Sequence, residues 1–101
     1  MDIRIIKSPS YGTMDILKSR ISIPTDETVD YAHAVGLVQG KLIDMICAAD
    51  TAEKMSDVTV CDVRGSCPQN MILLAIFGDI AAVEAAIEKI KEENAMQRLY
   101  A

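Results

Sequence analysis

Met71-Ile72-Leu73-Leu74-Ala75-Ile76-Phe77 runs without a polar side chain and stops at Gly78-Asp79. The run is far shorter than the ~20 residues that span a bilayer, so it reads as a strand, Asn70 to Phe77, of a folded core. Beyond Gly78-Asp79 the apolar period changes. From Ile80 to about Asn94, the residues Ile80, Val83, Ile87 and Ile90 recur at helical spacing, while Glu84, Glu88, Lys91 and Glu92 fall on the opposite side. Asp79 is a suitable N-cap for that helix. A strand turning through Gly-Asp into an amphipathic helix is the unit that the rest of the chain must complete.

Upstream, Val58 to Val63 reads as a strand. It is joined to the next one by Arg64-Gly65-Ser66-Cys67-Pro68-Gln69, a Gly- and Pro-containing loop typical of a hairpin. Lys41 to Met55 carries Leu42, Met45, Ile46, Ala49 and Ala52 at helical spacing. Ile43 and Cys47 make a second apolar face, so this helix is expected to be covered on more than one side. Ala32 to Val38 reads as a strand closed by Gln39-Gly40. Thr25 can cap a short helix whose acidic first turn, Asp26 and Glu27, suits the helix dipole. Met14 to Ile23 reads as extended, through Met14, Ile16 and Leu17 and then Ile21 and Ile23 alternating with Ser22, before Pro24 stops it. Ile3 to Lys7 is a short β-prone stretch ended by a turn over Ser8 to Gly12. The order is a leading β segment and then β-α-β-β-α. It predicts an α+β sandwich with two helices on one face of a mostly antiparallel sheet.

At 101 residues the chain is one domain, and an apolar half places it among folded proteins rather than disordered ones. Only 4% is aromatic, so the core must be built of Ile, Val, Leu, Ala and Met in thin, closely packed layers. The net charge is −5 and the ten basic residues are scattered, which disfavours nucleic-acid binding. No apolar stretch is long enough for a membrane span, and MDIRIIKSPS has no export signal, so the expected location is the cytoplasm. Three Cys, an odd number without a CxxC, read as thiols rather than as a disulfide framework.

The inventory for chemistry is thin. His33, the one histidine, sits in an Ala-His-Ala setting and reads as a satisfied or surface residue. It leaves no zinc site or His-based triad within one chain. Asp44, Asp50, Asp57 and Asp62 lack metal-loop spacing and read as a solvated face. The glycines form no phosphate-cradling run. Met45, Met55 and Met71 fall at core positions, where Met is a gap-filler. Cys47 and Cys61, in a helix and a strand, read as small buried hydrophobes. Cys67 differs, because a hairpin tip between Gly65-Ser66 and Pro68 exposes its sulfur. One thiolate cannot hold an iron–sulfur cluster, but copies of a loop can converge on the axis of a cyclic oligomer. From the residues alone, Cys67 is either a plain loop thiol or such a ligand.

Three stretches, VGLVQGKLIDMICAAD, VTVCDVRG and NMILLAIFGDIAAVEAAIEKI, together resemble the bacterial microcompartment shell domain. The Gly78-Asp79 junction and its Ala/Val-rich helix are the most specific part. The leading IRIIKSPSYGTMDILKSRI is similar to the start of the circularly permuted branch found in propanediol- and ethanolamine-utilisation shells. There the family's terminal strand comes first in the chain. The resemblance covers roughly residues 3 to 91. It implies a circularly permuted, ferredoxin-like sheet over 13–94, with a strand and turn over 1–12 before it and a tail over 95–101 after it. It also implies a structural rather than catalytic protein. Such a protein is a homo-hexamer tiling a microcompartment in the cytoplasm, alongside other shell proteins and around encapsulated enzymes. Ile3, Arg4, Ile5, Ile6 and Lys7 would match a short strand whose copies, in hexamers, join into a small barrel over the pore.

The hairpin departs from those members, whose loop looks shorter and lacks Cys. Gly65-Ser66-Cys67-Pro68-Gln69 is instead similar to the G-x-C-P-Q loop of permuted shell proteins from glycyl-radical-enzyme microcompartments, including choline-utilisation ones. That likeness implies a pore loop, Arg64 to Gln69, in which Cys67 thiolates from several subunits share an iron–sulfur cluster. The pore would then gate metabolites or electrons. The alternative is a small α+β regulatory or ligand-binding domain, since sandwiches of this type host many functions.

Overall fold

The computed structural model describes residues 1–21, 27–65, 70–96 and 99. The elements run β1 (Asp2–Lys7), α1 (Tyr11–Arg20), α2 (Glu27–Asp30), β2 (Ala34–Lys41), α3 (Leu42–Met55), β3 (Thr59–Val63), β4 (Met71–Gly78) and α4 (Ile80–Met96). The strands form one antiparallel sheet in the order β1-β2-β4-β3. The apolar run is the long central strand β4, paired with β2 from Ala34↔Gly78 to Lys41↔Met71.

The two faces of that sheet are covered by different helices. On one, α3 and α4 bury Met45, Ala48, Ala52, Val83, Ala86, Ile87 and Ile90 against Ala34, Val38, Leu74 and Ile76. The stripe expected on the last helix is the one that packs. The two helices are further tied where the Thr51 hydroxyl meets Glu93 Oε2 at 2.7 Å and the Ser56 hydroxyl donates to the Ala82 carbonyl at 2.9 Å. On the other face, Leu17 and Ile21 at the end of α1 and Val29 of α2 bury against Val35, Cys61, Val63, Ala75 and Phe77. The helices expected on one face are therefore α3 and α4, and a further helical layer covers the other. This double cover explains why β4 needs apolar residues at successive positions rather than alternate ones.

Helix α1 replaces the extended segment expected over Met14 to Ile23. The Ser10 hydroxyl caps its start by accepting from the Thr13 amide at 3.3 Å, and Lys18 and Arg20 sit in the last turn, where the helix dipole favours cations. Met14, Leu17 and Ile21 share one side at helical spacing and meet the sheet. Ile16, which made the segment look alternating, is 61% exposed. The turn expected over Ser8 to Gly12 is shortened accordingly, since Tyr11 and Gly12 already belong to the helix. Residues 22–26, including the expected cap Thr25, lie outside the described residues.

Strand β1 corrects a second expectation. Ile3, Arg4, Ile5, Ile6 and Lys7 are not a strand set apart from the sandwich by the turn that follows it. They pair with Val38, Leu37, Gly36, Val35 and Ala34 as the edge of the main sheet. The Ser8 amide then donates to the His33 carbonyl at 2.8 Å, so no loose turn decouples the strand. Ile3 packs on the α3/α4 core and Ile6 on the α1/α2 core, which holds the strand from both faces. The divisions placed at 12/13 and 94/95 both fall inside helices, α1 and α4.

Candidate functional site

The register gathers chemistry at the two ends of the sheet. At one end Asp2 faces Gln39 and Lys41 faces Met71, so Met1, the start of α3 and the stems of the β3–β4 connection lie together. At the other end Lys7, Ala34 and Gly78 meet, beside His33 and Asp79.

The β3–β4 loop is held at both stems. At its entry, the Arg64 amide donates to the Arg20 carbonyl at 2.8 Å, and Arg64 Nε donates to the same oxygen at 3.3 Å. Arg20 Nη1 returns a bond to the Arg64 carbonyl at 3.3 Å, and Ile21 bridges to Val63. At its exit, the Leu42 amide donates to the Asn70 carbonyl at 2.7 Å. Asn70 has φ +69°, a left-handed conformation that Asn tolerates better than most residues. Arg20, Arg64 and Lys41 thus bring three cations to this end, next to the positive N-terminus of α3, with Asp62, two residues from Arg64, and Asp44, three from Lys41, as the nearest acidic residues in sequence. Of the expected loop residues, Arg64 and Gly65 are exposed, while Ser66, Cys67, Pro68 and Gln69 lie outside the described residues.

Helix α3 has the second apolar face anticipated for it, and that face is uncovered. Ile43 is 71% and Ile46 61% exposed, with Leu42, Cys47 and Met55 also exposed. Three readings change here. Ile46 is not a core residue, Cys47 is not buried, and Met55 lies outside the core that holds Met45. Cys61 is buried as expected. Beside Ile43 and Cys47 lies an open hollow of about 560 Å³, also lined by Met1, Thr51, Glu93 and Leu99.

The remaining titratable groups assemble no centre. His33 is at the surface, its Nδ1 3.6 Å from Asp79 Oδ1, both well exposed. Asp44, Asp50, Asp57 and Asp62 are all exposed. Among the described residues, no three His, Cys, Asp or Glu side chains converge so as to hold a metal ion. Among them, too, no helix is long and apolar enough to cross a membrane.

The fold and site thus define a thin α+β sandwich, 38 × 30 × 20 Å, with an uncovered apolar helix face and, at one end, two loop stems with cations beside them. The profile of the BMC domain matches residues 34–100, from β2 onward. The GrpU microcompartment shell protein of Clostridiales bacterium 1_7_47FAA shares 50% identity over 94% of this chain and 93% of its own, with a TM-score of 0.73. That of Pectobacterium wasabiae shares 33% over 89% of this chain and 99% of its own, with a TM-score of 0.68. The chain belongs to the BMC-domain family of microcompartment shell proteins. A fused permuted hexameric shell protein, MSM0275 of the RMM microcompartment, has the same fold at 18% identity. It covers 93% of this chain, which spans 45% of it, with a TM-score of 0.69. No curated protein matches the chain.

Proposed function

We propose that this chain is the subunit of a cyclic homo-hexamer that tiles a microcompartment shell in the bacterial cytoplasm, beside other shell proteins and around encapsulated enzymes. The observation that carries this reading is the uncovered face of α3. A subunit of a shell-protein family that leaves Ile43 and Ile46 in water has a lateral surface ready to be covered by a neighbour. The permuted order is supported by the family match beginning at Ala34 while the sheet's fourth strand, β1, comes from upstream of it.

The loop Arg64 to Gln69 lines the central opening in this reading, and Cys67 thiolates from several subunits ligate one iron–sulfur cluster. The stems support it. Both described stems lie at one end of the sheet, where Arg20, Arg64 and Lys41 supply positive charge that would favour thiolate over thiol. No single chain supplies the usual four ligands, so the cluster requires the oligomer and gives the opening a means of passing electrons. The G-x-C-P-Q string supports a glycyl-radical-enzyme compartment, choline-utilising ones included.

The test has two arms. The chain should run at roughly six times its monomer mass, and Ile43→Asp should abolish that assembly while leaving the subunit folded, because the new carboxylate would be buried unpaired only at the seam. Assembly unaffected by Ile43→Asp refutes the seam. Anaerobic expression with iron should give a brown protein with stoichiometric iron and sulfide, lost in Cys67→Ser and kept in Cys47→Ser. A colourless wild type, or colour that survives Cys67→Ser, removes the cluster.

A further inference from the structure

We propose that Arg20 and Arg64 together form an oxyanion site that takes a phosphate group, as inorganic phosphate or on a small phosphate ester. The site is complete within one subunit and does not rest on the hexamer. It is built on a backbone junction. Helix α1 ends at Arg20, whose carbonyl is one of those that a helix end leaves without an internal partner. Arg64, one residue beyond β3, gives that oxygen two donors, its amide at 2.8 Å and its Nε at 3.3 Å. Arg20 Nη1 donates in return to the Arg64 carbonyl at 3.3 Å. Each guanidinium is thus held on the other residue's backbone, and two cations 44 positions apart stand at one point of the surface.

Capping the helix uses only part of their capacity. The two Nη groups of Arg64, and the Nε and Nη2 groups of Arg20, have no partner among the described residues, and both side chains are exposed. The charge is not compensated either. The ion pairs among the described residues are Lys18–Asp30, His33–Asp79, Lys54–Asp50 and Lys89–Glu92, and none takes in Arg20 or Arg64. Asp62 shares the sheet face of Val60, which packs on the α3/α4 core, whereas α1 lies on the opposite face with Cys61 and Val63. Asp30 is taken by Lys18, and Asp15 stands more than a helical turn before Arg20. Lys41 adds to the field, since β2 lies two strands from β3, ~10 Å at the usual strand spacing and about one Debye length at 0.1 M salt. In a chain of net charge −5, this is a local reversal of sign.

The donors select the ligand. A guanidinium offers its N–H groups as a planar fork that matches two oxygens of a carboxylate or phosphate. One fork serves one carboxylate. Two forks from different elements suit a tetrahedral dianion, which presents oxygens in more than one plane and carries twice the charge. Because both forks are already tied to backbone carbonyls, little ordering is lost when the anion arrives.

The test is calorimetric titration of the full chain with inorganic phosphate near neutral pH, with sodium chloride holding the ionic strength constant. One saturable phosphate per subunit is expected, weakened at least about tenfold by Arg20→Lys or Arg64→Lys, because a point charge replaces a fork. Lys91→Gln, which removes one exposed positive charge from α4, should leave the affinity unchanged. Acetate at the same ionic strength should bind at least about tenfold more weakly than phosphate. If Arg64→Lys lowers the melting temperature by loosening the stem, Arg20→Lys decides, since the backbone bond of the junction remains. No saturable phosphate, an affinity unchanged by Arg20→Lys, an equal loss in Lys91→Gln, or acetate as strong as phosphate each overturns the site. The titration is then repeated at concentrations where the chain assembles. Phosphate retained there supports the proposal; phosphate lost there assigns the two arginines to a neighbour's carboxylate and overturns it. A chain that never assembles refutes the hexamer reading instead, and the dilute titration still decides the site.

Discussion

Gly36 is the position where the packing of α4 on the sheet can be tested most sharply. It lies mid-strand in β2, and a Cβ built there would come within 2.9 Å of Ile87 Cδ1, 3.1 Å of Ile87 Cγ1 and 3.2 Å of Val83 Cγ1. Carbon atoms prefer separations of about 3.5–4.0 Å, so three contacts turn repulsive at once. Overpacking of this kind costs about 1–3 kcal/mol, and the stiffer unfolded chain of Ala returns about 0.4–1 kcal/mol. Gly36→Ala should therefore destabilise the subunit by about 1–2 kcal/mol, read by urea denaturation at fixed protein concentration because association contributes to apparent stability. The cause is separable. Ile87→Val removes the Cδ1 in closest contact and costs about 0.5–1.5 kcal/mol alone. Combined with Gly36→Ala, it should cost less than the sum of the two by at least about 0.5 kcal/mol. An additive double variant, or a Gly36→Ala protein as stable as wild type, would refute the argument.

Deleting residues 1–8 should abolish cooperative thermal unfolding, because β1 pairs with β2 and anchors Ile3 and Ile6 in both cores; a sharp near-ultraviolet melt after the deletion would show that the strand is dispensable. Leu17→Ala should cost about 2–5 kcal/mol while Ile16→Ala changes stability by less than about 0.5 kcal/mol, and equal effects in denaturation would contradict the orientation of α1. The hydrogen bond that the Lys18 ammonium donates to the Asp30 carboxylate holds its pKa above the ordinary value of 10.5. A group raised on folding stabilises fully below its unfolded pKa and loses that contribution as pH climbs through the raised folded value. Asp30→Asn should thus lower the melting temperature slightly at pH 8, and the gap should close above the lysine range; a constant gap would assign the effect to another cause.

What the sequence disclosed depended on how many residues carried each signal. Met71 to Phe77 and the stripe from Ile80 to Ile90 each repeat one instruction many times, so the central strand and α4 were legible, and with them the family. Helix α1 was not, because Ile16, Ile21 and Ile23 imitate a strand while the decisive spacing, Met14, Leu17 and Ile21, amounts to three side chains. Ile43 and Cys47 showed that α3 has two apolar faces, but which one a single subunit buries depends on where the sheet lies. Arg20 was invisible as a site residue, since its exchange of bonds with Arg64 joins positions 44 apart. Asn70 left a faint mark, an amide residue placed just before a strand where a left-handed turn is needed.

Because the two stems of the β3–β4 loop are fixed to different helices, one to the last residue of α1 and the other to the first of α3, the sheet does not depend on what lies between them. Closing a longer loop across fixed ends costs only about 0.6 kcal/mol for each doubling of its length. Insertions and substitutions between Gly65 and Asn70 should therefore be nearly neutral for folding and, if the loop lines an opening as proposed, can be selected on what they do there alone. On this argument the hairpin is the part of the subunit where a change of sequence disturbs the sandwich least.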